Sequence, residues 1–442
     1  MTCFIVEGGY ALEGSVEVKG AKNSMLPIMA AAILNSDKRE IELENIPDIG
    51  DMHMKKKILQ SLGLQVSYAS NVLHLDSREL CSHTISAALM KEMRSSIIIM
   101  GPMLARLGKV RVTYPGGCSI GPRPIDLHLK GLEALGARIW EEKGFIVAST
   151  PGLRGAEIHL DYPSVGATEN LLMAAVLARG NTVVHNAARE PEIVDLQNFL
   201  NAMGAQVRGA GTETLRIKGV EALGSCRYRI IPDRIVAGTY LMAGAITGGR
   251  VTVRGIIPSH LDAVVAKMQE AGVVLEVGED SLSVLNGRLK AVGTLRTLPY
   301  PGFPTDLQSP MMALLTRAGG RSNIVESVFE ARFKHVEELK RMNARISVEG
   351  RTALVEGCAV LKGAVVSATD LRAGAALVLA GLAAEGTTIV KEIRHIDRGY
   401  EYLDLTMQKL GAHIIRSGEE QPAQAGQQNV AWNVADVPSH PA

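Results

Sequence analysis

The chain has 442 residues, 46% of them hydrophobic and 21% charged, with a formal net charge of +1. That length suits two domains with separate cores, and that charge excludes a global attraction to nucleic acid or a membrane surface. Five cysteines, at 3, 81, 118, 226 and 358, form no CxxC pair, and the eleven histidines show no HxH or HExxH spacing; the pattern argues against a disulfide framework or a metal site and for a reducing compartment.

The N-terminal stretch MTCFIVEGGYALEG lacks a basic start followed by an apolar core, so it does not read as a signal peptide. From GAKNSMLP onward the chain repeats one pattern. A polar helix start leads into an apolar helix rich in small residues. A glycine, a β-rich strand and a loop follow, then a second helix, a pair like LG and another strand. The pair ends at Gly63, Gly136, Gly204, Gly272, Asn343 and Gly411, at separations of 73, 68, 68, 71 and 68 residues, which marks six repeated units.

The first helices LLMAAVLARG, YLMAGAITGG, MMALLTRAGG and LVLAGLAAEG each end at glycine, the residue suited to a left-handed C-terminal cap. Strands NTVVHNA, RVTVRGI, SNIVESV and TTIVKEI follow them. Among the second helices are DLHLKGLEALGARI and YLDLTMQKLGAHI; in the latter Leu403, Met407 and Leu410 form an apolar stripe. The runs SSIIIMGPML and AGAALVLAGLAA are too short to span a bilayer, so a cytoplasmic protein is expected. Six units imply an α/β fold of two three-unit groups, with a crossover near Arg229–Ile230–Ile231. Residues 418–442, rich in Gln, Ala and Pro, read as a disordered tail.

Aligning the units aligns their charges. At the starts of the first helices lie Lys22, Asn23, Arg94, Ser164, Asp233, Arg234, Asp306, Asp370 and Arg372; before the second helices lie Arg123, Arg189, Arg332 and Arg398. Helix N-termini offer unpaired N–H groups and positive partial charge. With added Arg and Lys they describe a site for phosphate and carboxylate. Asp233 and Asp370 fit N-caps as well as functional groups, and Pro124 suits the first turn of a helix. The stretch YPGGCSIGPRP (114–124) is incompatible with helix or central strand. It reads either as a surface turn with an incidental Cys118 or as a mobile loop carrying a reactive thiol to a bound anion. Cys3, Cys81, Cys226 and Cys358 fall in strand-like or mixed apolar contexts and read as inert.

GAKNSMLPIMAAAIL, YPGGCSIGPRPIDLHLKGLEALGA, PSVGATEN, NAAREPEIVD, FPTDLQ, FEARFKHVEEL, ATDLRAGAALVLAG and IRHIDRGYEYL resemble the UDP-N-acetylglucosamine 1-carboxyvinyltransferase family of enolpyruvyl transferases, over essentially residues 1–417. The resemblance implies the inside-out α/β barrel shared with 5-enolpyruvylshikimate-3-phosphate synthase, in two domains each built from three βαβαββ-like units. Residues 1–21 and 231–417 would form one, on the catalytic aspartate side; residues 22–230 would form the other, carrying the cysteine loop.

It further implies the first committed step of peptidoglycan synthesis. Enolpyruvyl passes from phosphoenolpyruvate to the sugar 3-hydroxyl by addition and elimination, without a cofactor. Neither nucleic acid nor membrane insertion is implied. By this resemblance Cys118 is proton donor and the target of fosfomycin, and Asp306 contacts the attacking hydroxyl. Lys22, Arg123 and Arg398 clamp phosphoenolpyruvate, with Asn23 adjoining. Arg94, the run Arg123, Pro124, Ile125, Asp126 and Leu127, the run Tyr162, Pro163, Ser164 and Val165, and Asp306 and Val328 surround the UDP-sugar; Arg332 and Arg372 are supporting cations. Tyr162 stands where some members carry Lys, which leaves the diphosphate more dependent on backbone N–H groups and Arg123. The alternatives are 5-enolpyruvylshikimate-3-phosphate synthase and a non-catalytic paralogue that binds the UDP-sugar.

Overall fold

The computed structural model describes residues 2–37, 39–114, 125–358 and 360–418, without the side chains of Arg94 and Ser95. The predicted repeat is visible in its helix ends. Helices Gly50–Ser61, Asp126–Ala134, Pro191–Ala202, Asp262–Glu270, Val336–Arg341 and Leu403–Lys409 lead to Gly63, Gly136, Gly204, Gly272, Asn343 and Gly411, all with left-handed φ between 71° and 104°. Each closes the same way, as where Gly136 N–H donates to Glu133 O at 2.9 Å and Ala137 N–H to Leu132 O at 3.1 Å. This double bond satisfies two orphan carbonyls.

The glycines ending the first helices behave differently from expectation. Helices Val165–Ala175, Gln308–Leu315 and Leu371–Leu382 stop short of Gly180, Gly320 and Gly386. Intervening turns, such as Ala178 N–H to Ala175 O and Ala318 N–H to Leu315 O, both 3.1 Å, carry the chain to a left-handed glycine that opens the strand. In Arg234–Ile246, by contrast, a left-handed glycine, Gly248, directly follows the C-cap Thr247, and Met100–Leu107 ends on left-handed Gly108 itself.

Each unit builds a small sheet. Thr294–Arg296 runs parallel to Arg321–Val325, which pairs antiparallel with Thr352–Glu356, which in turn pairs antiparallel with Arg345–Glu349. Three strands are borrowed across the sequence. Cys3–Glu7 inserts between Thr387–Lys391 and His413–Ser417, Glu13–Glu17 runs parallel to Arg250–Arg254, and Arg227–Arg229 runs parallel to Ile41–Glu44.

Sheets lie outside and the first helices inside, because those helices are apolar all round. In Leu371–Leu382 every residue except Leu371 is buried. Glycines let such helices touch: a Cβ on Gly101 would sit 2.1 Å from the Asn170 carbonyl oxygen. The buried apolar residues fall into two clusters, one drawn from residues 25–230 and the other from 4–18 and 235–414.

Candidate active site

The inner helices of the two clusters meet at their N-terminal ends. Asp233 caps Arg234–Ile246 by accepting from Ile235 N–H at 2.8 Å and Val236 N–H at 3.0 Å, while its other oxygen accepts from Lys22 N–H at 3.0 Å. Asp370 caps Leu371–Leu382 through Arg372 N–H at 2.9 Å and Ala373 N–H at 3.0 Å. Both aspartates are therefore N-caps, and Asp233 also ties the start of Lys22–Ala31 to the opposite cluster.

Two carboxylates organise the cations at this junction. Asp51 accepts Lys22 Nζ at 2.7 Å on one oxygen and Arg398 Nε at 2.8 Å on the other. Asp306, in the turn Thr305–Leu307, accepts Arg332 Nη2 at 2.8 Å and Arg372 Nη2 at 3.0 Å, with Asn23 Nδ2 at 3.3 Å. Arg332 and Arg372 are each only 2% exposed. Nε and Nη1 of Arg332 and Nη1 of Arg372 are buried without a hydrogen-bond partner. Four cations thus share two carboxylates, and guanidinium donors remain unsatisfied. A low-dielectric site in that state has unmet demand for an anion.

Protonation follows from this arrangement. Burial, opposed by Asp51 and reinforced by Arg372, lowers the Lys22 amine below its ordinary value. Burial pushes the Asp306 carboxyl up, but Arg372 and Arg332 outweigh it and hold it well below the usual carboxylate range. Asp51 is likewise pushed up by burial and brought below its ordinary value by Lys22 and Arg398. Both carboxylates are ionised at neutral pH.

The other sequence-selected residues are more dispersed. Ile125 is buried beside the start of Asp126–Ala134, with Leu127 packed on the first core cluster. His128 in that helix hydrogen-bonds Asn170 at 3.0 Å, and Gly166 fits against its ring. Ser164 caps Val165–Ala175 by accepting from Ala167 N–H at 3.3 Å, Pro163 and Val165 are half-buried, and Tyr162 is 43% exposed. Val328 N–H donates to Glu326 at 2.8 Å. Arg94 opens the 3-10 helix Arg94–Ile99.

Arg189 pairs with Glu213 at 3.6 Å, whereas Arg234 makes a buried pair with Glu192 at 3.0 Å. Cys118, Arg123 and Pro124 lie outside the described residues, as does all of the tail 418–442 except Gly418. Cys81 is exposed in a surface loop rather than set in an apolar context; Cys3 and Cys226 are half-buried and Cys358 is buried. Among the described residues no cluster of three or more His, Cys, Asp or Glu could hold a metal, and no helix is long and apolar enough to cross a membrane.

A family model described as EPSP synthase (3-phosphoshikimate 1-carboxyvinyltransferase) matches residues 6–407. A relative named UDP-N-acetylglucosamine 1-carboxyvinyltransferase 1, from Symbiobacterium thermophilum, is 56% identical over 93% of this chain and 95% of its own. The chain belongs to this family, on its UDP-N-acetylglucosamine 1-carboxyvinyltransferase branch. A Staphylococcus aureus relative of the same name is 51% identical over 94% of this chain and 99% of its own. Among solved structures, the enolpyruvyl transferase NikO from Streptomyces tendae superposes with a TM-score of 0.83 at 25% identity, covering 94% of this chain and 99% of that one. EPSP synthase from Acinetobacter baumannii gives 0.71 at 17% identity, covering 95% and 100%, and shares the fold. The inside-out arrangement expected from the sequence is the fold of this family.

Asp51 is the member of the site that sequence reasoning missed. It sits in the first turn of Gly50–Ser61, where the second helices of the other units carry Asp126, Glu192, Asp262, Glu337 and Asp404. An acid in that turn is common to all six second helices, so its position alone carried no signal.

Proposed function

We propose that this chain transfers the enolpyruvyl group of phosphoenolpyruvate to the 3-hydroxyl of UDP-N-acetylglucosamine and releases phosphate, as the committed entry to peptidoglycan synthesis in the cytoplasm. The observation that carries the reading is the set of buried, unpartnered guanidinium donors around Asp306, in a chain 56% identical to an enzyme of that name. The two core clusters act as two domains, 1–21 with 231–417 and 22–230, and substrates bind where their helix N-termini meet.

Phosphoenolpyruvate carries a carboxylate and a phosphate on one small frame. Lys22, Arg123 and Arg398 hold it, while Arg332 and Arg372 keep Asp306 ionised and oriented. The UDP-sugar lies along Arg94, Arg123 to Leu127, Tyr162 to Val165, and Val328. Its 3-hydroxyl adds to C2 of phosphoenolpyruvate while C3 accepts a proton. Loss of phosphate and of a C3 proton then leaves the enol ether. Cys118 supplies the proton at C3: a thiol, with a pKa of about 8.5, still holds it near neutrality. Asp306 is a weak base because its neighbours favour the carboxylate, so its main work is to accept a hydrogen bond from the attacking hydroxyl and fix its direction.

Phosphate release from phosphoenolpyruvate in the presence of UDP-N-acetylglucosamine tests the reading. No release with that acceptor overturns it, and release with shikimate 3-phosphate alone assigns the chain to the other activity of the family. A Cys118→Ser variant with full turnover would remove the proton-donor role.

A further inference from the structure

Arg398 reaches the anion site from a short turn between helices Arg394–Asp397 and Leu403–Lys409. That turn is gripped by residues of the other core cluster. Tyr402 Oη donates to Asp48 Oδ2 at 2.8 Å, and Asp48 N–H donates to Glu401 Oε1 at 3.1 Å. The same Glu401 oxygen accepts Lys19 Nζ at 3.0 Å, and Lys19 Nζ also reaches Asn71 Oδ1 at 3.0 Å. Three residues along from Asp48, Asp51 N–H donates to Arg398 O at 3.3 Å while the Asp51 carboxylate holds Arg398 Nε. The stretches 48–51 and 398–402 are thus laced together by both backbone and side chains.

Tyr402 stands at φ 43° and ψ 54°, a left-handed conformation that favours glycine and is strained for an aromatic residue. Such a residue persists only where its surroundings over-determine it, and here its hydroxyl is anchored on Asp48. Lys19 is placed to matter as well. It sits where the chain passes between clusters: Asp233 N–H donates to Lys19 O at 2.9 Å, and Ala21 N–H to Ile231 O at 2.7 Å.

We propose that Tyr402 and Asp48, with Lys19 and Glu401 behind them, are positioning residues that hold Arg398 against Asp51 and so set how tightly the site grips phosphoenolpyruvate. This rests on the phosphoenolpyruvate role given to Arg398 above. None of the four touches substrate; they act through the backbone of the turn. The strain at Tyr402 makes the turn dependent on the clasp, because without the Asp48 anchor residue 402 can relax and carry Arg398 away.

Tyr402→Phe removes the hydroxyl and keeps the ring. The expected result is a KM for phosphoenolpyruvate raised about 10- to 20-fold, the low end of what losing one hydrogen bond to a charged group costs, with the KM for UDP-N-acetylglucosamine within about twofold of the parent. Asp48→Asn keeps an acceptor for the hydroxyl and should stay within about threefold, whereas Asp48→Leu should match Tyr402→Phe. Hydrogen exchange of residues 398–403 in the unliganded protein should quicken in Tyr402→Phe and Asp48→Leu but not in Asp48→Asn. An unchanged KM for phosphoenolpyruvate in Tyr402→Phe, or equal rises for both substrates, overturns the proposal. Failure of the parent protein to release phosphate overturns the functional reading instead, and the exchange measurement still decides whether the clasp holds the turn.

Discussion

Replacing Asp306 by Asn isolates what its charge does. The side chain is 25% exposed and bonds two guanidinium groups that are themselves almost fully buried. A hydrogen bond to a charged group contributes about 1.5–3 kcal/mol, and breaking one side of a buried ion pair costs about 3–5 kcal/mol. The Asn oxygen can still accept from one arginine, so a net loss of about 2–4 kcal/mol is expected. With a urea slope of about 2 kcal/mol per molar, the unfolding midpoint should fall by about 1–2 M. Turnover should drop at least about 100-fold, because the attacking hydroxyl loses its oriented acceptor.

The pH dependence tests the cause. The folded carboxyl lies well below its ordinary value, so the stability it contributes is fully present above the unfolded pKa of about 3.9 and is lost only as pH falls through the lower folded value. The gap between parent and variant should therefore be flat from pH 5 to 8 and close only in stronger acid. A gap that closes between pH 6 and 7, or a variant as stable as the parent at pH 7, would refute the reasoning. The first outcome would make Asp306 a base poised near neutrality.

Lys55 in Gly50–Ser61 is fully buried with Nζ unpartnered, and burial, opposed by Glu169, pushes its amine down to about 7. Lys55→Met should be more stable than the parent by about 1–4 kcal/mol at pH 6 in urea unfolding. The advantage should shrink from about pH 7 to 10, where the folded parent sheds the proton that the unfolded chain keeps; a pH-independent difference would count against a buried charged lysine. Tyr162→Lys restores a cation to a position that is now a phenol, and the KM for UDP-N-acetylglucosamine should fall about 5- to 10-fold with that for phosphoenolpyruvate unchanged. Gly101→Ala places a methyl 2.1 Å from the Asn170 carbonyl oxygen, and urea unfolding should show a loss of about 1–3 kcal/mol.

What could be read from the sequence was whatever depends on local chemistry or on the repeat. The six left-handed residues from Gly63 to Gly411 were legible because a helix end needs a residue that tolerates that backbone. Lys22, Asp306, Arg332, Arg372 and Arg398 were legible because the repeat places them at equivalent positions, although no single arginine differs on paper from the surface ion pair that Arg189 makes. Asp51 was not, since an acid in a first helical turn is ordinary and its partner Arg398 lies 347 residues away. The insertion of Cys3–Glu7 into the last sheet was hidden for the same reason: its five residues carry an apolar pattern but no address.

The repeat also explains why an anion site forms here at all. A helix that is apolar all round must go inside, and in each cluster the sheets stand outside such helices. Their polar ends are then left to face one another, and the borrowed strands at residues 3–7 and 227–229 fasten the first stretch and the mid-chain crossover back onto their own clusters. Where the two sets of ends meet, Lys22 N–H finds Asp233 and Asn23 finds Asp306. The N-terminal partial charges and four basic side chains are brought to one place. Asp51 and Asp306 offset part of the side-chain charge and Asp233 and Asp370 cap two of the helix ends, yet guanidinium donors of Arg332 and Arg372 stay unpartnered, which favours an anionic ligand.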